Sequence, residues 1–172
     1  MKNEFLDIWT DGSCINNGTA SASSGVGIFY SVGSDRNIST SLPAGKQTNN
    51  RAELCAILLA LCTNSSDQNI TIYTDSDYSI KCITLYAESW ERSGWKTSAK
   101  KPVEWMRVIS YIRKLILIRA SRGGATRFKY IKGHSGNKGN DEADKLARVS
   151  AVTGKVLNVV LFLTYRCNVP FS

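Results

Sequence analysis

The sequence predicts an α/β sheet with an antiparallel portion. Two observations lead to this prediction. Three strand-like segments come first in the chain, and helical and strand-like segments then alternate to its end. Strands that follow one another directly can pair antiparallel, whereas strands separated by helices can pair in parallel. The 172 residues are enough for one domain with a sizeable core.

The first half of the chain contains four strand-like segments and one long helix. Residues 5–11 alternate apolar and polar side chains, and Asp11-Gly12 is expected to end this first strand. Asn50 precedes an apolar run typical of a helix that extends to about Cys62. The other three strands are expected in the regions Gly25–Tyr30, Asn37–Leu42 and Ile70–Thr74.

The second half of the chain is predicted to be mainly helical. The segment 103–119 has apolar residues at a helical period, with most of its basic residues on other faces. The remaining elements are expected over residues 77–86 (helix), 88–101 (short helix and exposed loop), 126–131 (strand) and 140–151 (helix).

Four carboxylates occupy similar local contexts. Asp11 and Asp75 are each expected at the end of a strand, and Glu53 in the first turn of a helix. Asp144 follows the glycine-rich turn 133–139 and is expected to open the last helix. Two strand ends and two helix beginnings can converge on one edge of a sheet. Hard divalent cations select oxygen ligands of this kind, so the sequence predicts a metal site there.

Each carboxylate also has a purely structural interpretation. Glu53 fits a capping box with Asn50, and Asp75 fits a cap for the helix after its strand. Asp144 could be a solvated helix residue, and Asp11 an ordinary turn residue. Taken singly, these structural interpretations are favoured; together and in this order they become improbable.

The positive charge is concentrated in one part of the chain. The whole chain has a net charge of +8, but residues 91–132 contain twelve Lys and Arg against two Glu. This segment therefore carries +10 and the rest −2. Basic residues beside an acidic metal site suit an enzyme that cleaves phosphodiesters in nucleic acid. A soluble basic helix is the alternative, and the interleaved Trp90 and Trp95 favour nucleic acid.

The cysteines and the apolar segments bear on location. No Cys-x-x-Cys spacing occurs, so neither a zinc site nor a redox motif is indicated. An odd number of cysteines and the absence of a signal-peptide pattern favour an intracellular location, in the cytoplasm or nucleus. The apolar run 156–163 is far shorter than a membrane span, so no membrane association is expected. The five cysteines are Cys14, Cys55, Cys62, Cys82 and Cys167.

Five separated blocks, in this order, resemble the type 1 ribonuclease H family. They are Trp9–Ser13, Gln47–Glu53, Tyr73–Ser76, Gly94–Ser98 and Gly133–Asp144. The resemblance covers roughly residues 5–150. It implies a ribonuclease H-like fold whose mixed five-stranded sheet has strands 1–3 antiparallel and strands 4 and 5 parallel to strand 1. It also implies a catalytic domain over residues 1–152, followed by a tail, 153–172, of unknown role.

The resemblance implies an enzyme that cuts the RNA strand of RNA/DNA hybrids and leaves 5′-phosphate and 3′-hydroxyl ends. Two Mg²⁺ ions about 4 Å apart would serve the reaction, and Mn²⁺ is expected to substitute. By similarity, Asp11 bridges the ions, Glu53 and Asp75 bind the leaving-group ion, and Asp144 binds the water-activating ion. The single histidine, His134, would aid proton transfer or product release, although a lone histidine is more often structural.

The same resemblance assigns residues to each strand of the hybrid. Asn and backbone amides suit a 2′-hydroxyl, although Asn17-Gly18 is also an ordinary turn signal. The RNA-strand residues are the backbone around Cys14 together with Asn17, Asn49 and Asn50. The DNA-strand residues are Lys46, Thr48, Tyr86, Trp90 and Ser98. Lys46 and Thr48 would belong to a DNA-phosphate pocket, and Tyr86 stands where a Trp is common.

The chain departs from the family pattern in two places. The third member of the phosphate pocket is usually an Asn, but Glu104-Trp105 occupies that region, and Trp105 could instead be a core residue. The N-terminal hybrid-binding domain of many eukaryotic members is expected to be absent. The expected partner is an RNA/DNA hybrid, bound by a monomer without a small-molecule cofactor. Two alternatives stay open: an inactive hybrid-binding module, and a ribonuclease H domain of a retroelement polyprotein.

Overall fold

The computed structural model describes residues 4–165 and 169–171. Its five strands form one sheet in the order β3-β2-β1-β4-β5. β1 and β3 both pair antiparallel with β2, whereas β4 is parallel to β1 and β5 is parallel to β4. The predicted mixed sheet is therefore confirmed. The strands are β1 (Leu6–Ile15), β2 (Ser23–Phe29), β3 (Ile38–Ser41), β4 (Ile70–Thr74) and β5 (Thr126–Tyr130).

Helices cover both faces of the sheet. Their bounds are α1 (Asn49–Thr63), α2 (Asp77–Lys81), α3 (Ala87–Arg92), α4 (Met106–Ser121), α5 (Lys138–Thr153) and α6 (Asn158–Tyr165). On β1, a Cβ added to Gly12 would lie 2.2 Å from the Glu53 backbone nitrogen in α1. On β2, a Cβ added to Gly27 would lie 2.0 Å from the Ala143 carbonyl oxygen in α5. Gly27 lies directly opposite Asp11 in the sheet, so both residues face the same side. Gly12 follows Asp11 and therefore faces the other side, which places α1 and α5 on opposite faces of the sheet. Both helices approach as closely as only glycine permits.

The first strand is longer than predicted. It continues four residues past Asp11, because antiparallel pairing with β2 extends to Ile15 opposite Ser23. The expectation that Asp11 ends the strand is wrong: hairpin pairing overrides the local Asp-Gly turn signal. The parallel pairing with β4 does end early, at Trp9. Asp11 therefore lies two residues beyond the last residue of β1 that pairs with β4.

The helical region after β4 also differs from the prediction. One helical run extends from α2 to α3 through a π-helical turn at Cys82–Tyr86, where a helix end near residue 86 was predicted. The predicted loop that follows is an ordered hairpin with a bridge between Lys96 and Pro102. Trp105, with φ +64°, then precedes α4, which begins three residues later than predicted. A left-handed residue cannot continue a helix, so this conformation sets its start.

The segment after α5 packs into the same core as the sheet and helices. Val160, Val169 and Phe171 are buried in the cluster that contains α1 and β4. The Ser41 backbone nitrogen donates to the Lys155 carbonyl at 2.9 Å, which ties the segment to β3. Helix α6 was not predicted, and Cys167 lies outside the described residues. The domain boundary at residue 152 stays a prediction. None of the described helices is long and apolar enough to cross a membrane.

Candidate active site

Three carboxylates meet above the centre of the sheet. Asp11 projects from β1, Glu53 from α1, and Asp75 follows the last residue of β4. One carboxylate oxygen from each residue can be chosen so that all three lie within 4.8 Å of one another. Gly12 makes this possible, because its missing side chain allows α1 to lie directly against β1. Of the four carboxylates predicted to converge, the structure brings these three into one close group.

The structural interpretations of Glu53 and Asp75 are wrong. Helix α1 begins at Asn49, and Thr48 caps it by accepting a hydrogen bond from the Arg51 backbone nitrogen. Glu53 is therefore the fifth helical residue, beyond the first turn and outside any capping box with residue 50. Helix α2 is capped by Ser76. Capping thus explains neither carboxylate, and both remain available as ligands.

The surroundings raise the pKa values of two of these carboxylates, Asp11 and Glu53. Burial raises the pKa of Asp11 to about 7, and the nearby Asp75 and Asp144 add to the shift. Burial also raises the pKa of Glu53 well above its usual value, with Asp11 and Asp75 as further causes. The Glu53 Oε2 atom is buried and has no hydrogen-bond partner among the described residues. An acidic cluster with an unpartnered buried oxygen fits a divalent cation with oxygen ligands.

Asn140 is a site residue that the sequence analysis missed. It is 3% exposed, and its Nδ2 atom donates to Asp75 Oδ2 at 3.3 Å. Such a contact orients the carboxylate. Its position in the sequence could have revealed it, because Asn140 and Asp144 are four residues apart and share one face of a helix.

Asp144 lies beside the three carboxylates in the same cleft of about 410 Å³. It is the seventh residue of α5, so the expectation that it opens the helix is wrong; Asn137 is the cap. Its side chain is 26% exposed, and its Oδ1 atom accepts a hydrogen bond from Arg148 Nε at 2.9 Å. Asp144 is therefore neither fully buried nor fully solvated. Arg148 was missed, although its spacing of four from Asp144 is the signal for an ion pair.

His134 belongs to the loop that leads into α5, and it lines the same cleft as the carboxylates. It is exposed, and its backbone has φ +53°, a conformation uncommon for residues other than glycine. The structure places it near all four carboxylates without including it in the close group of three. This placement agrees with a role other than metal ligation.

The predicted RNA-strand residues differ in their distance from this cleft: two line it and two do not. Cys14 and Asn49 line it together with the carboxylates. Asn17 is exposed in the turn between β1 and β2, beside Gly18, and Asn50 is exposed in the first turn of α1. Two of the four residues are thus brought to the carboxylates, and the other two lie on adjoining exposed surface.

Three predicted DNA-strand residues line a second cleft. Tyr86, Trp90 and Ser98 surround a space of about 440 Å³ together with Lys96. The Tyr86 and Trp90 rings lie 5.6 Å apart between centroids. The π-helical turn ends at Tyr86, so this unusual backbone leads directly into the aromatic pair.

The other two predicted DNA-strand residues, Lys46 and Thr48, line a third cleft of about 350 Å³ beside the β1–β2 turn. Lys46 Nζ is 2.5 Å from Glu104 Oε1 and 5.7 Å from the centroid of the Trp105 ring. Trp105 is half-buried and packs against the core, which supports the interpretation of this residue as a packing residue. Thr48 accepts the capping hydrogen bond, so its hydroxyl proton can still be donated.

The basic segment divides into structural and exposed residues. Arg119 is 2% exposed and donates to carbonyls at the end of α1, including that of Asn64. Arg113 pairs with Glu91. Three lysines are exposed on the hairpin that borders the second cleft: Lys96, Lys100 and Lys101. The charge of the segment is therefore only partly available for nucleic acid.

Comparison with known proteins agrees with this geometry. The family model described as RNase H matches residues 3–152. The chain belongs to the RNase H family. A ribonuclease H of Schizosaccharomyces pombe is 42% identical over 144 residues, which cover 84% of this chain and 52% of that protein. Human ribonuclease H1 is 38% identical over 151 residues, covering 86% of this chain and 50% of the relative.

The RNase H chain thus spans about half the length of these two relatives. A solved structure of the foamy viral protease-reverse transcriptase in complex with an RNA/DNA hybrid is also similar. It has a TM-score of 0.67 and 27% identity, over 87% of this chain and 20% of the viral one. The region that the family model matches, residues 3–152, contains all the residues that line the three clefts.

Proposed function

We propose that this protein hydrolyses the RNA strand of RNA/DNA hybrids with divalent metal ions and leaves 5′-phosphate and 3′-hydroxyl ends. One observation carries the proposal: Asp11, Glu53 and Asp75 converge within 4.8 Å in a cleft that Asp144 also lines. Family membership supports this assignment, as do the relatives named ribonuclease H. The hybrid bound to the foamy viral protein supports the substrate class.

The carboxylates would hold two Mg²⁺ ions, with Asp11 shared between them. When bound, such ions supply activation of water and stabilisation of the departing oxygen. Glu53 and Asp75 would complete one ion's ligands, and Asn140 keeps the Asp75 carboxylate oriented. Because Asp11 and Glu53 have raised pKa values, these two residues would release protons when a cation binds.

Asp144 and His134 would act on the other side of the cleft. Asp144 must leave Arg148, or share its carboxylate with it, in order to bind the second ion. Arg148 would then be free to approach a phosphate. His134 stands on an exposed glycine-rich loop, where an imidazole can exchange a proton with solvent and with the leaving product.

Each strand of the hybrid would have its own surface. The backbone at Cys14 and the amides of Asn17, Asn49 and Asn50 can both donate to and accept from a 2′-hydroxyl. The DNA strand would follow the cleft of Tyr86, Trp90 and Ser98. A DNA phosphate would lie near Lys46 and Thr48. The two DNA surfaces together would favour a hybrid over double-stranded RNA.

The test is cleavage of labelled substrates by the full chain. RNA/DNA hybrid, double-stranded RNA and double-stranded DNA are incubated with Mg²⁺, with Mn²⁺ or with EDTA. We expect cleavage of the RNA strand of the hybrid alone, dependent on either ion. Hybrid binding without cleavage in any metal would favour the inactive binding module. Cleavage of double-stranded DNA would contradict the assigned substrate.

A further inference from the structure

The Arg51 side chain is buried behind the loop that carries Lys46 and Thr48. Arg51 is 2% exposed, and its guanidinium donates to the carbonyls of Lys46 at 3.1 Å and Pro43 at 3.0 Å. Gly45 packs on the same group, since a Cβ added there would lie 3.3 Å from Arg51 Nη2. The loop of residues 43–48 is thus folded around one buried cation, which makes Arg51 the centre of its conformation.

The remaining acceptor comes from the far end of the chain. Arg51 Nη2 also donates to the carbonyl oxygen of Phe171, 120 residues away. Within the part of the chain described, Arg51 forms no ion pair with a carboxylate. The hydrogen bonds of its guanidinium all go to main-chain carbonyls. A buried guanidinium that loses one acceptor must rearrange or attract water. The loop around it would then move as well.

The segment that supplies Phe171 is firmly docked. Phe171 and Val160 are fully buried. The Val169 backbone N–H donates a hydrogen bond to the Leu163 carbonyl at 2.9 Å. The Leu157 backbone nitrogen donates to Thr40 Oγ1 at 3.0 Å. Apolar burial and these backbone hydrogen bonds therefore place the Phe171 carbonyl beside Arg51.

From these contacts we infer that the described residues of the tail, 156–165 and 169–171, form an intramolecular brace, which holds the loop 43–48 in its nucleic-acid-binding geometry through Arg51. Arg51 and Phe171 are positioning residues, since neither lines the clefts described above. The inference rests on the proposed function, because it concerns how tightly the same surface binds a hybrid. It assigns a role to the tail that follows the family's matched region, residues 3–152.

The test compares a chain that ends at residue 168 with the full chain of 172 residues, because a chain that ends at residue 171 would carry a carboxylate in place of the Phe171 carbonyl. Only the first loses the Phe171 carbonyl. We expect Kd for the hybrid, measured in EDTA, and KM to rise about tenfold in the shorter chain, with kcat within about twofold. The matched variant Phe171→Leu keeps both the carbonyl and an apolar side chain, so its Kd should stay within about twofold of the parent.

A double-mutant cycle separates bracing from general stability. Arg51→Lys keeps the charge but cannot reach three carbonyls at once. In this background, removing residues 169–172 should raise Kd by less than about twofold, because the contact is already lost. Full additivity would overturn the brace, as would an unchanged Kd in the shorter chain with an unchanged Tm.

Folding failure is also informative. If the chain ending at residue 168 shows no cooperative melting, full-length Arg51→Lys carries the test by its own rise in Kd and KM. Loss of folding in both variants would overturn the proposal, because the segment would then support the fold rather than the loop. If the parent chain binds no hybrid at all, the proposed function is refuted. If the parent binds the hybrid and the variants have the same Kd as the parent, only the brace is refuted.

Discussion

Lys46 and Glu104 form an ion pair, with Nζ 2.5 Å from Oε1, at the edge of the cleft where a DNA phosphate is proposed to bind. The two residues are 58 positions apart, and both side chains are more than half exposed. The carboxylate therefore occupies a ligand position on the lysine that a phosphate oxygen would need. A DNA phosphate at this point would compete with the Glu104 carboxylate for the N–H donors of Lys46 and would be repelled by its charge.

Replacing Glu104 should strengthen hybrid binding. Glu104→Gln removes a negative charge that competes with phosphate for Lys46, and exposed ion pairs are worth at most about 1 kcal/mol. We expect Kd for the hybrid to fall about threefold at low salt. Glu88→Gln is the matched control, because Glu88 forms an exposed pair with Arg92 on α3. Equal effects of both variants would indicate a general charge effect.

Asp11→Asn should abolish cleavage while hybrid binding survives. The substitution keeps the shape of a buried side chain but removes the charge shared by the proposed ions. We expect kcat to fall by about 10³-fold or more, with Kd for the hybrid nearly unchanged. Asp7, an exposed residue on the same strand, provides the control: the variant Asp7→Asn should cleave the hybrid at the normal rate. Near-normal turnover by the Asp11 variant would contradict the two-metal interpretation.

Stability without metal should fall as the pH rises. Asp11 has a pKa of about 7 when folded, against 3.8 for an ordinary aspartate, and Glu53 is shifted in the same direction. The unfolded chain releases these protons first, so the penalty from Asp11 is absent below about pH 4 and complete above about pH 7, and Glu53 adds a penalty of the same sign. In EDTA, Tm should decline across this window.

Metal and mutation should both reverse this decline. Mg²⁺ should raise Tm most at pH 7 and above, where protons no longer compete with the ion for Asp11. Asp11→Asn should raise the metal-free Tm by about 3 °C or more at pH 8. A metal-free Tm that rises steadily from pH 4 to pH 7 would show that the carboxylates are not clustered in solution.

His134→Ala should lower turnover without weakening metal binding. Loss of a proton-transfer group costs about 10²-fold or more in kcat, whereas KM and the Mg²⁺ requirement should change little. Ser135→Ala, in the same exposed loop, tests whether loop structure alone matters. If the His134 variant needs much more Mg²⁺, the imidazole is a ligand.

Neutralising the three hairpin lysines should reduce the salt dependence of hybrid binding. Lys96, Lys100 and Lys101 are exposed beside the aromatic cleft, and each phosphate contact contributes about 0.9 to the slope of log K against log salt. Changing all three to Gln should lower the slope by up to about 2.7. The control changes three other exposed basic residues of the segment, Lys114, Arg122 and Arg127. An unchanged slope would make the hairpin a solvated surface.

Much of the fold follows from local patterns in the sequence. β4 has the bounds predicted for it, Ile70–Thr74, because a short alternating segment between turn residues leaves little choice of structure. The order of strands and helices likewise restricts the topology to a few sheets, of which the mixed one is observed. The identities of Asp11, Glu53, Asp75 and Asp144 as a set were also evident from their contexts.

Tertiary contacts decided what local patterns could not. Asp11 lies within a strand rather than at its end, because pairing with β2 continues past the turn signal at Gly12. The contact of Asn140 with Asp75 depends on how α5 lies across the sheet. These outcomes depend on residues far apart in the chain, and no short window of sequence contains both partners.

The sequence by itself determined the family blocks, the type of sheet and the set of acidic residues, since each depends on short-range periodicity or spacing. Only the tertiary structure decided that Glu104 pairs with Lys46 and that Phe171 reaches Arg51. The physical reason is the same for both contacts. Hydrogen bonds and ion pairs act over a few ångströms in space, and their partners here are separated by 58 and 120 residues of chain.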